Sequence, residues 1–164
     1  MQVKSLRILG KIIFVGNGRV GKTSIAKRLR LGIYNKDEDS THGIRIIPWK
    51  LKLNQETGTS SGETIALNMW DFGGQDIYHA THRFFMTYRA LYVLVWDCRT
   101  EEKMEKEPEK FMPYQYWLDK IRSLSGNSPI LLVQNKIDKK KCGVDKQNQL
   151  QGRIQCPGIF KCEC

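Results

Sequence analysis

Apolar residues along this chain fall into three patterns. Lys11–Val15 is a short β-type run, and Ala90–Asp97 and Pro129–Asn135 are apolar almost throughout. Continuous runs of that kind suit parallel strands buried on both faces. Ile44–Leu53 alternates instead, with Ile47, Trp49, Leu51 and Leu53 on one side. After the turn-rich stretch 56–63, Thr64–Asp71 returns, which predicts a β-hairpin. Pro48 assigns the first of these strands to an edge or a bulge. Helical spacing appears twice. Thr23–Leu31 places Ile25, Ala26 and Leu29 on one face and stops at Gly32. Pro113 opens a second helix with Tyr114, Trp117, Leu118, Ile121 and Leu124 in phase. Residues 33–43 are polar and irregular, 99–110 form a mixed-charge solvated loop, and Gly158–Cys162 is a last β-type run. No internal repeat is present. Strands alternating with helices predict a three-layer α/β fold, with a mostly parallel six-stranded sheet and one antiparallel edge strand.

Composition narrows the class. A chain of 164 residues, 40% hydrophobic, can bury one core. The apolar run near the start is broken by Lys4, Arg7 and Lys11, so it reads as a strand and not as a signal peptide. No run is long enough to span a bilayer, and a soluble cytoplasmic domain is expected. The net charge of +10 is uneven: residues 1–36 carry nine Lys or Arg and no acid. Part of that excess is expected to face a bound polyphosphate and the rest to be solvated, so nucleic acid is not expected as a partner. The five cysteines (98, 142, 156, 162 and 164) are odd in number and lack paired C-x2-C knuckles, so reduced thiols are expected.

Candidate chemistry sits at the ends of the strands. Gly16-Asn17-Gly18-Arg19-Val20-Gly21-Lys22-Thr23 follows a strand and opens a helix. This is a P-loop, whose glycines let backbone N–H groups approach phosphates. Lys22 is expected at the β- and γ-phosphates, and Thr23 at Mg²⁺. Ser24, next on the helix, belongs to the same candidate set. Trp70-Asp71-Phe72-Gly73-Gly74-Gln75 ends another strand. Asp71 is expected to hold Mg²⁺, Gly74 to offer its N–H to the γ-phosphate, and Gln75 to orient an attacking water. Asn135-Lys136-Ile137-Asp138 follows a third strand, and a carboxylate there can accept two hydrogen bonds from guanine that adenine does not offer. Thr41, between the first helix and the edge strand, is the candidate for a threonine that binds Mg²⁺ and senses the γ-phosphate. Lys22, Thr41 and Gln75 form the candidate catalytic set. Arg19 has two roles open to it: a solvated side chain, or a charge donated to the transition state. His79 and His82 lack further ligands and read as surface and core contacts.

In order, these motifs resemble those of Ras-like small GTPases. Thr41-His42-Gly43-Ile44, the run Trp70–Gln75, and His79–Thr87 resemble the Roc branch (Ras of complex proteins, in the Roco family). That resemblance implies GTP or GDP with Mg²⁺ as cofactors and slow GTP hydrolysis. It also implies a neighbouring COR-type domain and a second subunit in a larger protein. It further places Cys164 at a base-contacting position, although Glu163 stands where the family has Ser. One Roc-type domain is expected over residues 1–164, and the family's closing helix is expected to be missing from it. A competing expectation is a nucleotide-binding regulatory or dimerisation module with little turnover. A third, ATP use, is disfavoured by Asn135 and Asp138.

Overall fold

A computed structural model describes residues 9–52, 64–73, 84–98, 111–138 and 159–161. The first strand, β1 (Leu9–Val15), runs into helix α1 (Lys22–Leu31). The hairpin follows as β2 (Ile44–Lys52) and β3 (Thr64–Phe72), then β4 (Leu91–Trp96), α2 (Tyr114–Ser125) and β5 (Ile130–Gln134). A three-residue segment, β6 (Ile159–Lys161), pairs parallel with β5 from Leu132 to Gln134. The sheet order is β2-β3-β1-β4-β5-β6, with β2 antiparallel to β3 and the other pairs parallel. Pro48 lies on the edge strand opposite Asn68, and the β2–β3 register runs unbroken from Ile44↔Phe72 to Lys52↔Thr64. A proline removes one ladder donor, which an outer strand tolerates on its open side.

Strand alternation divides the core into two layers. Ile13, Val15, Tyr92, Leu94, Trp96, Ile130 and Leu132 face α2, where Trp117, Leu118 and Ile121 pack on them. Phe14, Val93, Val95, Val133, Ile47 and Met69 face α1, against Val20, Ile25 and Ala26. Helices therefore cover both faces, the three-layer arrangement that the pattern predicts. Gly126 closes α2 by donating its N–H to the Arg122 carbonyl.

Two expectations change. Helical spacing puts Leu29 on one face with Ile25 and Ala26, yet it is 52% exposed. It lies one turn beyond Ile25, and none of the described core residues packs on that end of α1. Cys98 is buried and disulfide-bonded, against the expectation of reduced thiols. Spacing along the chain carries no information about which sulfur atoms meet in space. The other four cysteines lie outside the described residues, as do the loop 99–110 and the turn 56–63. Among the described residues no helix is long and apolar enough to cross a membrane.

Candidate functional site

The P-loop lies where β1 ends beside β4. Gly16 has φ +132°, and a Cβ there would sit 2.1 Å from the Val95 carbonyl oxygen, so only glycine fits. Gly21, at φ +98°, leads into α1, and a Cβ there would sit 2.3 Å from Asn135 Nδ2. As the N-cap of α1, Gly21 brings no side-chain oxygen, and the first turn carries no acid. The first N–H groups of a helix have no intrahelical partner, and a helix start of this kind favours an anion. Arg19 is exposed and adopts φ +59°, while Gly18 and Ser24 are partly buried.

Lys22 points back along the loop. Its ammonium donates to the carbonyls of Gly16 at 2.9 Å and Asn17 at 2.6 Å. Burial pushes its pKa down to about 8, against the pull of the Asp71 charge. An ammonium held in that state gains from any anion that reaches it.

Three oxygens converge beside it. Thr23 Oγ1 donates to Asp71 Oδ2 at 2.6 Å and lies 2.8 Å from Thr41 Oγ1. Thr41 Oγ1 also reaches Asp71 Oδ2, at 3.1 Å. Asp71 is fully buried, and its Oδ1 has no hydrogen-bond partner among the described residues. Burial raises the Asp71 pKa, opposed by the Thr23 hydrogen bond, the Lys22 charge, the Thr41 hydrogen bond and the Arg45 charge. Two hydroxyls and a carboxylate, one of whose oxygens is orphaned, form a hard-oxygen donor set, which fits Mg²⁺.

The loop that delivers Thr41 is held at two points. Gly73 N–H donates to the Gly43 carbonyl at 2.8 Å, joining it to the end of β3. Three residues before Thr41, Glu38 accepts from Lys27 Nζ at 2.6 Å on both carboxylate oxygens, with Arg45 at 3.7 Å.

At the end of β5, Asn135 and Lys136 turn toward the P-loop. Asn135 Nδ2 donates to the Val20 carbonyl at 2.9 Å, and its buried Oδ1 has no hydrogen-bond partner among the described residues. Lys136, at φ +57°, donates to the Arg19 carbonyl and lies 3.6 Å from the buried Asp97 carboxylate. Asp138 is exposed beyond them. Three strand ends thus bring Gly16–Ser24, Thr41, Asp71 and Asn135–Asp138 to one rim of the sheet.

Gly74, Gln75, Cys164, His79 and His82 lie outside the described residues. Sequence patterns missed the Lys27–Glu38 pair, the Asp97–Lys136 pair and the contacts of the Asn17 side chain. Asn17 Nδ2 donates to the Met112 carbonyl, so its side-chain amide is engaged within the protein. These links join residues up to 100 positions apart, and no local signal marks them.

A family model described as "Ras of Complex, Roc, domain of DAPkinase" matches residues 11–138. A Roc-COR-CHAT protease from an unknown prokaryotic organism is 36% identical over 148 residues, covering 83% of this chain and 14% of that protein. The probable serine/threonine-protein kinase pats1 of Dictyostelium discoideum is 30% identical over 141 residues, covering 78% of this chain and 4% of the kinase. The chain therefore spans only a small part of these relatives' length. The human Ras-related protein Rab-30 is 30% identical over 140 residues, covering 84% of this chain and 62% of Rab-30. Among solved structures, Methanosarcina barkeri Roco2 RocCORdC bound to GDP matches with TM-score 0.72 and 38% identity, over 98% of this chain and 44% of that one.

Proposed function

The chain belongs to the Roc family, and from that premise we propose that it is a guanine-nucleotide switch domain with slow, Mg²⁺-dependent GTP hydrolysis. The observation that carries this reading is the meeting of Thr23, Thr41 and Asp71 beside the buried Lys22 ammonium. Backbone N–H groups of the P-loop and of the start of α1 receive the phosphates, and Lys22 neutralises the terminal ones. Thr23 and Thr41 hold Mg²⁺, with Asp71 beside them, and the ion supplies neutralisation of developing phosphate charge. Asp138 accepts hydrogen bonds from guanine N1–H and its exocyclic amine. Gln75 orients the water that attacks the γ-phosphorus, as the bond to the β–γ bridging oxygen breaks and the water's proton passes to phosphate. Thr41 and Gly74 hold two loops, about 33–43 and 73–86, against the γ-phosphate, and its loss releases them. A COR-type neighbour and a second subunit are proposed as partners. The Roc-COR architecture named for the similar Roc-COR-CHAT protease and RocCORdC structure supports the COR neighbour.

Single-turnover hydrolysis of GTP with and without Mg²⁺ tests turnover, and calorimetry with GDP tests binding. Mg²⁺-dependent release of phosphate and loss of GDP binding in Lys22→Ala are expected. GDP binding without phosphate release would establish a binding module instead. Full GDP affinity in Lys22→Ala would remove the P-loop assignment.

A further inference from the structure

Asn17 occupies the second position of the P-loop, and its side-chain amide is bonded within the protein. It is 2% exposed. Its Nδ2 donates to the Met112 carbonyl at 2.6 Å, and its Oδ1 accepts from the Met112 N–H at 3.0 Å. The Trp117 indole N–H donates to the same Oδ1 at 3.3 Å. An asparagine amide offers two donor hydrogens and two acceptor lone pairs. Three of those four are thus taken by residues 95 and 100 positions away. Met112 precedes Pro113, the N-cap of α2, and Trp117 is 1% exposed on the inner face of that helix. The P-loop is therefore pinned to the entry of α2 by one side chain.

The main chain of the same residue has a second task. The Asn17 carbonyl accepts from Lys22 Nζ at 2.6 Å, shorter than the 2.9 Å bond to Gly16. A side chain clamped at both ends of its amide leaves its own peptide little freedom. The direction of that carbonyl, and with it the resting place of the ammonium, follows from the clamp.

We propose that Asn17 is a positioning residue: held by Met112 and Trp117, it sets through its carbonyl where the Lys22 ammonium meets the terminal phosphates. The proposal rests on the nucleotide-binding reading above. It separates two properties that a general loss of structure would damage together. A nucleoside diphosphate presents a β-phosphate to Lys22, whereas a monophosphate stops short of it. Loss of the clamp therefore weakens GDP and spares GMP.

Calorimetric titration with GDP and GMP tests this in the parent chain, Asn17→Ala and Trp117→Phe, with thermal unfolding recorded for each. Asn17→Ala should weaken GDP by about tenfold, the scale of losing buried hydrogen bonds, and leave GMP within about twofold. Trp117→Phe keeps an aromatic ring but loses the indole N–H and part of the buried ring volume; thermal unfolding reads the packing change, and a smaller loss confined to GDP is expected, about two- to threefold. If Asn17→Ala does not unfold cooperatively, Trp117→Phe carries the test alone. As a second readout, the Trp117 indole N–H resonance, assigned by its absence in Trp117→Phe, should shift on GDP loading. Equal losses for GDP and GMP would reduce Asn17 to a scaffold and overturn the proposal. Unchanged GDP affinity in folded Asn17→Ala, or in Trp117→Phe where that variant alone carries the test, would overturn it too. A parent chain that binds neither nucleotide would refute the nucleotide-binding reading itself and take this proposal with it.

Discussion

Thr41 meets Asp71 across 30 positions of sequence, with 3.1 Å between the hydroxyl and carboxylate oxygens. The contact closes the loop after α1 onto the end of β3, and it leaves Asp71 Oδ1 without a partner among the described residues. A buried carboxylate in that state is costly without a cation.

The cost gives the metal a pH signature. Burial raises the folded-state pKa of Asp71. An acid with a raised folded pKa contributes stability below its unfolded pKa and loses it as pH rises through the folded value. A cation on the carboxylate opposes that loss. The gain in unfolding midpoint with Mg²⁺ over EDTA should therefore be larger at about pH 7 than at about pH 5. In Asp71→Asn the gain should shrink at both. A Mg²⁺ effect of equal size in the parent and in Asp71→Asn would place the ion elsewhere.

Lys22 predicts a second profile with the opposite chemistry. Burial lowers its pKa to about 8. A bound polyphosphate favours the ammonium and raises that value, so binding above it takes up a proton. GDP affinity should be flat below pH 8 and fall by up to about tenfold per pH unit above it, until the pKa of the complex is reached. Lys22→Arg carries a guanidinium that does not titrate in this range. A fall of the same slope in that variant would assign the profile to another group.

Glu38 offers a test of the loop that carries Thr41. Its carboxylate faces Lys27 at 2.6 Å and Arg45 at 3.7 Å, and it is largely sheltered. Glu38→Gln should lower the preference for a non-hydrolysable GTP analogue over GDP by about three- to tenfold, while GDP affinity itself stays nearly constant. Lys27→Met should act in the same direction, and the double variant should cost no more than the larger single change. Additive losses would show that the two residues act separately.

Much of this site was legible because its determinants are local. Gly16 and Gly21 need unusual φ values and close approach, and that need is written in the residue type itself. The unbroken apolar runs at Tyr92–Trp96 and Ile130–Val133 mark strands buried on both faces, whatever lies around them. Asn17 shows the limit. Its type fits a loop, but the partners that fix its role lie 95 and 100 positions away. Leu29 shows the converse. Its helical phase is correct, yet phase gives direction and not whether anything lies in that direction. Glu38 and Lys27 are ordinary surface charges until the chain brings them together.

The base-reading assignment yields the last prediction. Asn135 and Lys136 spend their side chains on the P-loop carbonyls of Val20 and Arg19. Asp138 alone of the motif's polar residues is exposed at the rim. Its carboxylate is an acceptor suited to guanine N1–H and amine. Asp138→Asn should weaken GDP by about tenfold or more, the scale of an unpaired polar group in a specific site. The amide can donate to the carbonyl that xanthine carries where guanine has its amine, so XDP should gain on GDP. Asn135→Ala, by contrast, removes a bond to the P-loop and should weaken GDP and XDP alike. Competition of both nucleotides against a fluorescent guanine nucleotide measures the two ratios. An unchanged XDP-to-GDP ratio in Asp138→Asn would show that another group reads the base. A ratio that shifts in Asn135→Ala would show that Asn135 contacts the base as well as the loop.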